Sequence, residues 1–254
     1  MRQVPTKSSS TNCTSALIGI VGRGRLGTHL AYYLSQKNIP HKIWARSDSK
    51  NLETALQGCT TIALAIRDDV LESFIAKNPF LHSRTLVHFS GAMVLERAWG
   101  AHPLYTFGPE LYSAEVYQKI PFILEKDSPA LAEFFPGLEN PEYRIPASHK
   151  ALYHSLCVLA GNFTALLWQK FFNELQNNLK LPPEACEPYA RQIFENILKN
   201  PNQALTGPLA RGDWKTIQKN LVALGEDPFA DVYRAFVNTQ PSKKERGRNE
   251  HLSV

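Results

Sequence analysis

The sequence predicts an α/β fold in which a mostly parallel sheet is followed by an all-helical C-terminal domain. Three observations lead to this prediction. Short apolar, β-branched runs alternate with helical segments over the first 145 residues, a glycine-rich motif follows the first run, and long amphipathic segments fill most of the remainder. Strands that alternate with helices form βαβ units, in which the strands pair in parallel.

The first half is predicted to hold strands separated by short helices. Strands are expected at residues 16–22, 41–45, 60–66, 85–89, 120–124 and 143–145. Helices are expected at residues 25–36, 51–57, 69–76 and 93–99. The first helix is predicted from Leu26, Leu30 and Leu34, which recur at the spacing of one helical face.

The second half is predicted to be helical. One long helix without a proline is expected over residues 148–178, with an apolar stripe formed by Leu152, Leu156, Leu159, Phe163 and Leu166. Further helices are expected at 184–199, 214–224 and 228–238. The predicted organisation is a disordered tail (1–15), an α/β domain (16–145), a helical domain (146–240) and a second disordered tail (241–254).

Charge and cysteine content exclude several classes of function. The net charge of +5 is concentrated in the tails, which carry +2 each, and the body is close to neutral. We therefore expect no nucleic-acid partner. The four cysteines form no CxxC pair or metal-ligand spacing, so no metal site is expected. The polar N-terminus does not resemble a secretory signal, and the longest apolar stretch, 156–168, is interrupted. These features predict a cytoplasmic protein without a membrane partner.

A glycine-rich turn joins the first strand to the first helix. It has the pattern GxGxxG, the fingerprint of a Rossmann-type dinucleotide-binding domain when it lies between a strand and a helix. The predicted cofactor contacts are Gly22, Arg23, Gly24, Arg25, Leu26 and Gly27. The helix N-terminus would receive the diphosphate. The alternative is a glycine-rich turn that binds no ligand.

The end of the second strand indicates which dinucleotide binds. An NAD-binding chain usually has an acid there for the ribose hydroxyls, whereas this chain has Arg46 and Ser47, with the nearest acid at Asp48. Arg46 can donate two hydrogen bonds to a 2′-phosphate and Ser47 a third. The sequence therefore favours NADP(H) over NAD. The alternative is a solvated arginine at a strand end.

Proton-transfer residues are expected on the long helix and at two strand ends. Lys150, His154, Cys157 and Gly161 lie on one line of the helix, opposite the apolar stripe, so the helix is expected to be buried on both sides in a crevice between domains. The catalytic candidates are His154, Lys150, Ser90 and His102. For each of them a structural role is the alternative, such as an interface histidine, a solvated lysine or a turn serine.

A glycine-rich segment at residues 204–213 is the last candidate. Thr206 and Arg211 could contact a substrate, with Arg211 addressing an anionic group. Asp213 could orient a neighbouring residue, although capping of the next helix would explain it equally well.

Together these motifs resemble one family. The sequence is similar to Rossmann-like oxidoreductases that carry a C-terminal domain of unknown function, number 2520, which are relatives of pyrroline-5-carboxylate reductase and of the β-hydroxyacid and 6-phosphogluconate dehydrogenases. Besides the glycine turn, the motifs that carry the resemblance are His88-Phe-Ser-Gly-Ala92, His102-Pro-Leu-Tyr-Thr-Phe107, Tyr153-His-Ser155 with Asn162, and Ala204-Leu-Thr-Gly-Pro208 with Arg211-Gly-Asp213.

The resemblance implies an NADP-binding domain, a helical domain and a homodimer in which the helical domains pack together. It also implies a substrate site on the long helix. In the β-hydroxyacid dehydrogenases a lysine and an asparagine one turn apart serve the substrate. Here Lys150 and His154 are one turn apart and Asn162 is two turns further on, so that mechanism does not transfer directly.

The predicted function is an NADP-dependent oxidoreductase that transfers hydride between the nicotinamide and a small polar substrate, such as a carbonyl, imine or hydroxy acid. The substrate would lie in the crevice between domains. The alternative is an NADP-binding sensor or interaction module without chemistry.

Overall fold

The computed structural model describes residues 2–3 and 16–239. The chain divides into two compact units, Met1–Leu167 and Trp168–Val254. The predicted domain boundary after residue 145 is earlier than this division, which falls inside the long helix. The predicted C-terminal tail lies outside the described residues, as does the N-terminal tail except for residues 2–3.

The first unit is built on a seven-stranded sheet with the order β2-β1-β3-β4-β5-β6-β7. Strands β1 to β5 run parallel, β6 is antiparallel to β5, and β7 is parallel to β6. This mostly parallel sheet confirms the predicted α/β class. The strands are β1 (Ile18–Val21), β2 (His41–Trp44), β3 (Thr61–Leu64), β4 (Thr85–His88), β5 (Trp99–Pro103), β6 (Phe122–Glu125) and β7 (Glu142–Ile145).

Six of the described helices lie wholly within the first unit, and together with the strands they bury both faces of the sheet. Alternate residues of β1 and β3 enter two separate apolar clusters: Ile20 and Ala63 belong to one, and Val21 and Leu64 to the other. This alternation is expected for a parallel sheet that is covered on both faces. The helices are α1 (Arg25–Gln36), α2 (Leu52–Ala55), α3 (Leu71–Lys77), α4 (Ala114–Lys119), α5 (Leu131–Phe134) and α6 (Lys150–Cys157).

The helix expected at residues 93–99 is wrong. That segment is irregular, and residue 99 instead begins β5. The sequence indicated the end of this strand at His102 but not its start. The backbone N–H groups of Ala92 and Met93 donate to the hydroxyl of Ser90, at 3.3 and 3.0 Å. A serine side chain that takes up neighbouring amides in this way competes with helix formation.

The long helix forms, but it is not uniform. After a 3₁₀ turn at Ala147–His149, α6 continues into a π-helical turn at Val158–Phe163 and then into α7 (Thr164–Asn177). Within the described residues this helix, Ala147–Asn177, is long and apolar enough to cross a membrane, judged by length and composition alone. Its most apolar stretch is not buried.

The prediction that this helix is buried on both sides is not met within the described residues. Along the line that begins at Lys150, His154 and Cys157 are half-buried and Gly161 is exposed. Lys150 is 3% exposed. The apolar stripe is exposed instead, with exposed fractions of 47–62% for Leu152, Leu156, Leu159, Phe163 and Leu166. The sequence pattern shows that a face is apolar, but it does not show what covers that face.

The second unit is helical, as predicted. It contains the rest of α7 and four further helices: α8 (Glu187–Lys199), α9 (Gly207–Arg211), α10 (Trp214–Leu224) and α11 (Phe229–Asn238). Trp168 and Phe171 of α7 pack on Tyr189 of α8 with ring centroids 5.8–6.2 Å apart. Lys170 of α7 pairs with Asp227, which precedes α11, so α7 contacts both the start and the end of this unit.

Candidate functional site

The glycine-rich turn between β1 and α1 depends on missing side chains at two positions. Gly22 has φ +112°, and a Cβ there would lie 2.3 Å from the carbonyl oxygen of Ala65. A Cβ on Gly27 would lie 2.2 Å from the carbonyl oxygen of Gly22. Around Gly24, by contrast, no atom lies within 4 Å of the corresponding position. The turn is therefore tight on the protein side and open at Gly24, where a diphosphate would approach the backbone.

The N-terminus of α1 has the properties of an anion site. Gly24 is the N-cap and offers no side-chain oxygen, and the first turn contains no acid. The first amides of a 12-residue helix have no partner within the helix and carry partial positive charge. Arg23 and Arg25 are exposed beside this end, while Leu26 is half-buried. These features fit a bound diphosphate.

The end of β2 carries an aspartate that is paired and an arginine that is not paired among the described residues. Asp48 accepts a hydrogen bond from the amide of Ala45 at 3.0 Å and pairs with Arg23. These two contacts, the backbone one first, lower the pKa of the Asp48 carboxyl. Arg46 and Ser47 are exposed and have no partner among the described residues. The negative charge of Asp48 is thus matched by Arg23, and Arg46 stays available to a ligand.

Two histidines meet at the carboxyl ends of β4 and β5. The rings of His102 and His154 are perpendicular, with centroids 6.0 Å apart, and Gly91 lies beside both of them. A Cβ on Gly91 would come within 2.6 Å of His154 and 3.1 Å of His102. The Nδ1 atom of His102 is 2.7 Å from the hydroxyl oxygen of Tyr153. Glycine at position 91 therefore makes room for the histidine pair.

Burial controls the protonation of this pair. Desolvation, followed by the charges of His154 and Lys150, lowers the pKa of His102 from 6.5 to about 4. His102 is therefore neutral near pH 7. Desolvation also raises the pKa of Tyr153, and its contact with Cys157 adds to this effect. The hydrogen bond between His102 and Tyr153 consequently joins two neutral groups, and the tautomer of His102 decides which of them donates.

Ser90 lies at the predicted strand end, but its hydroxyl is fully engaged. It donates to the carboxylate of Asp68 and accepts from the amides of Ala92 and Met93. The residue is 5% exposed, and its own amide donates to Nδ1 of His88 at 3.3 Å. A hydroxyl with this set of partners shapes the turn after β4, which is the structural alternative to a catalytic role.

Lys150 is buried in the same unit. Its Nζ atom is 3.5 Å from Oε1 of Glu125, and both side chains are at most 4% exposed. Desolvation lowers the pKa of Lys150, and the charge of Glu125 opposes that shift. His154 is half-buried and more accessible than Lys150. The two alternative proton donors thus differ in their access to solvent.

The predicted substrate contacts lie in both units. Asn162 is exposed in the π-helical turn of the first unit. In the second unit Thr206 is the N-cap of α9 and Arg211 is its last residue, and both are exposed. Asp213 caps α10 by accepting from the amide of Thr216 at 3.1 Å and from its hydroxyl at 2.7 Å. These four assignments remain predictions.

Sequence reasoning gave no role to three residues of the site. Tyr153 was noticed only as part of a motif, although its position one residue before His154 was a usable signal. No catalytic or binding role was predicted for Asp68 or for Glu125. Glu125 ends the strand sequence Phe-Ile-Leu-Glu, where a charged residue after an apolar run is a weak signal of a buried pair. Among the described residues no group of histidine, cysteine or acidic side chains could hold a metal.

The family resemblance is confirmed by sequence. Residues 120–240 match the family described as "Domain of unknown function (DUF2520)". The sequence matches no protein of curated function.

Solved structures match most of the chain. A candidate NADP oxidoreductase from Bacteroides fragilis matches with a TM-score of 0.70 and 18% identity, over 89% of this chain and 97% of that one. An imine reductase from Myxococcus stipitatus in complex with NADP+ matches with a TM-score of 0.60 and 14% identity, over 88% and 91%. Pyrroline carboxylate reductase from Plasmodium falciparum, with NADP bound, has values of 0.54 and 14%, over 88% and 98%. A variant of the imine reductase was solved with NAD+. At these identities the likeness shows the fold.

The protonation of His102 predicts a stability loss in acid. The unfolded chain takes up a proton on this residue below pH 6.5, whereas the folded chain does so only near pH 4. The unfolded state therefore binds more protons in this range, and stability falls as the pH is lowered through it. Calorimetric melting temperatures between pH 4 and 7 measure the slope. Replacement His102→Gln should make the slope shallower, and the exposed control His149→Gln should not. An unchanged slope in His102→Gln would contradict the assignment.

Proposed function

Since residues 120–240 match the DUF2520 family and a glycine-rich turn follows the first strand of the mostly parallel sheet, we propose that the protein is an NADP-dependent oxidoreductase. The observation that carries this proposal is the glycine turn at α1, which is closed at Gly22 and Gly27 and open at Gly24. The exposed, unpaired Arg46 supports NADP(H) as the dinucleotide, because a guanidinium can donate two hydrogen bonds to a 2′-phosphate. The substrate would be a small polar carbonyl, imine or hydroxy acid.

His154 of α6, with His102 of β5 beside it, supplies the proton chemistry. When bound, NADPH provides a hydride for the carbon of a carbonyl or imine. His154 donates a proton to the substrate oxygen or nitrogen, which completes the reduction. Its half-exposed ring favours it over Lys150, whose ammonium is buried against Glu125. His102, neutral and hydrogen-bonded to Tyr153, keeps the space beside Gly91 defined. In this proposal Ser90 shapes the turn rather than transferring a proton.

An NADP-binding sensor without chemistry is the alternative function. It shares the glycine turn and Arg46 but needs no proton donor. The two functions differ in one measurement, the oxidation of NADPH with a panel of carbonyls, cyclic imines and, in the reverse direction, hydroxy acids with NADP+. Turnover with any member supports the enzyme, whereas binding of NADPH without turnover across the panel supports the sensor.

We also propose a cytoplasmic homodimer formed through the helical part of the chain. The exposed apolar stripe on α6 and α7 supports a second copy as the partner, as do Phe194 and Leu198, which are 44% and 85% exposed on α8. A reducing compartment is supported by Cys59, Cys157 and Cys186, which are free thiols.

The cofactor assignment predicts the effect of removing the cation at position 46. Replacement Arg46→Ala should weaken NADPH binding by about tenfold to hundredfold, the worth of hydrogen bonds to a charged group. Binding of NADH, which has no 2′-phosphate, should be unchanged. Titration calorimetry with both nucleotides gives the comparison, and Lys77→Ala removes the same charge from an exposed position on α3. Equal losses for NADPH and NADH would show that Arg46 does not read the phosphate.

The proton-donor assignment predicts a separation of rate from affinity. Replacement His154→Ala should lower turnover by about a hundredfold or more, while the Kd of NADPH stays within about twofold. The matched control is His149→Ala, a histidine exposed one residue before α6. Steady-state rates with an active panel substrate supply the test. A wild-type rate in His154→Ala would remove this residue from the mechanism.

The dimer proposal predicts a native mass of twice 28.6 kDa. Sedimentation equilibrium measures it directly. A charge placed in the stripe, Leu159→Glu, should shift the mass toward that of one chain because the stripe would become costly to bury. A wild-type mass of 28.6 kDa across the micromolar range would exclude the dimer.

A further inference from the structure

The strand that pairs with the one carrying His102 ends in a buried carboxylate. Glu125 is the last residue of β6 and is 3% exposed. Lys150 reaches it from the first turn of α6, past Gly100 of β5. A Cβ on Gly100 would lie 2.1 Å from Nζ of Lys150 and 2.9 Å from Oε1 of Glu125. Glycine at position 100 therefore leaves the opening through which the lysine meets the carboxylate.

We propose that Glu125 is a positioning residue of the active site, whose carboxylate holds Lys150 through this opening and thereby fixes the first turn of the helix carrying Tyr153 and His154. The catalytic part of this inference rests on the proposed function. Its structural part concerns Glu125, Lys150 and Gly100 alone and can be tested without a substrate.

The carboxylate is shared with a second cation from the N-terminus. The guanidinium of Arg2 pairs with Oε2, the oxygen that Lys150 does not use. It also donates through Nε to the carbonyl of Leu95 at 2.7 Å and lies 4.6 Å above the ring of Trp99. The indole N–H of Trp99 donates to the carbonyl of Gln3 at 3.0 Å. Residues 2–3, predicted from the sequence to belong to a disordered tail, are thus bound to the same cluster.

The energetics explain why the pair can hold a helix. A buried ammonium without a counter-charge is strongly unfavourable, so Lys150 can stay both buried and charged only while Glu125 faces it. Tyr153 follows Lys150 by three residues and His154 by four, so both lie one turn further along the helix side that Lys150 occupies. Anchoring Lys150 therefore fixes the hydroxyl of Tyr153 against His102 and the ring of His154 beside Gly91.

The charge of Lys150 affects the pKa values of nearby histidines, and NMR can measure this effect. Arg2, Asp68 and Glu125 all act on Lys150, and Lys150 in turn lowers the pKa values of His88 and His102. The Nε2 atom of His88 is buried and has no hydrogen-bond partner among the residues that the structure describes. Because the positive charge of Lys150 is one cause of the low pKa of His102, any change that neutralises Lys150 raises the pKa of His102.

The test is an NMR titration of histidine-labelled protein. Lys150→Met removes the charge directly, and Glu125→Gln removes its partner, after which burial drives Lys150 to the neutral form. Both variants should raise the His102 midpoint above its wild-type value, because the positive charge that lowers it is gone. Gln3→Ala is the control, because Gln3 contributes only its backbone carbonyl to the cluster. An unmoved His102 midpoint in both folded variants would overturn the proposal.

Activity gives a second readout that a purely structural role would not produce. Glu125→Gln should lower turnover at least about tenfold with NADPH affinity unchanged, and Glu125→Asp, which keeps the charge, should recover part of the rate. If the protein turns over no substrate, the proposed function fails, but the NMR result still decides the role of Glu125.

If the variants do not fold, the buried pair can be tested in the wild-type protein. Among the lysines that the structure describes, Lys150 is the buried one. Lysine-labelled wild-type protein should therefore show one ammonium group protected from hydrogen exchange near neutral pH. A spectrum in which every lysine ammonium exchanges rapidly would contradict the buried pair and overturn the proposal.

Discussion

The tight packing of the glycine turn against the end of β3 is the constraint on which the site depends. The backbone passes so close to the carbonyl of Ala65 that a Cβ at Gly22 has no space, and α1 begins so close to the turn that Gly27 has none either. This geometry directs the N-terminus of α1 toward the carboxyl ends of β1 and β3. In this sheet the chain passes from β1 to neighbours on either side, and such a reversal is where doubly wound folds bind nucleotides.

The same edge of the sheet carries the histidine pair and the residues around it. Ser90 and Gly91 follow β4, His102 lies in β5, and α6 brings His154 to them. Glycine recurs where backbone and side chains would otherwise collide, at position 91 beside the histidines and at position 100 beside Lys150. The site is therefore formed by close approaches that only glycine allows, and these approaches bury ionisable groups deeply enough to change their protonation.

The sequence predicted what depends on local pattern. The glycine turn, Arg46 and the helix with Lys150 and His154 follow from spacings within one strand, turn or helix. The pair of Glu125 and Lys150 was not predictable in this way, because it depends on the antiparallel pairing of β6 with β5, which brings distant residues together. The bounds of β5 were not predicted, because Gly100 and Pro103 are poor strand formers and only the strand end at His102 was indicated. The role of Ser90 depended on Asp68, which approaches it from another strand end.

The central claim is that the glycine turn seats a dinucleotide and that Arg46 selects the one with the extra phosphate. Titration calorimetry of the purified, folded wild-type protein with NADPH and with NADH tests it most directly. The account predicts saturable binding of NADPH at about one per chain, with a Kd at least about tenfold lower than that of NADH. Absence of binding heat and of any thermal stabilisation with either nucleotide would contradict it.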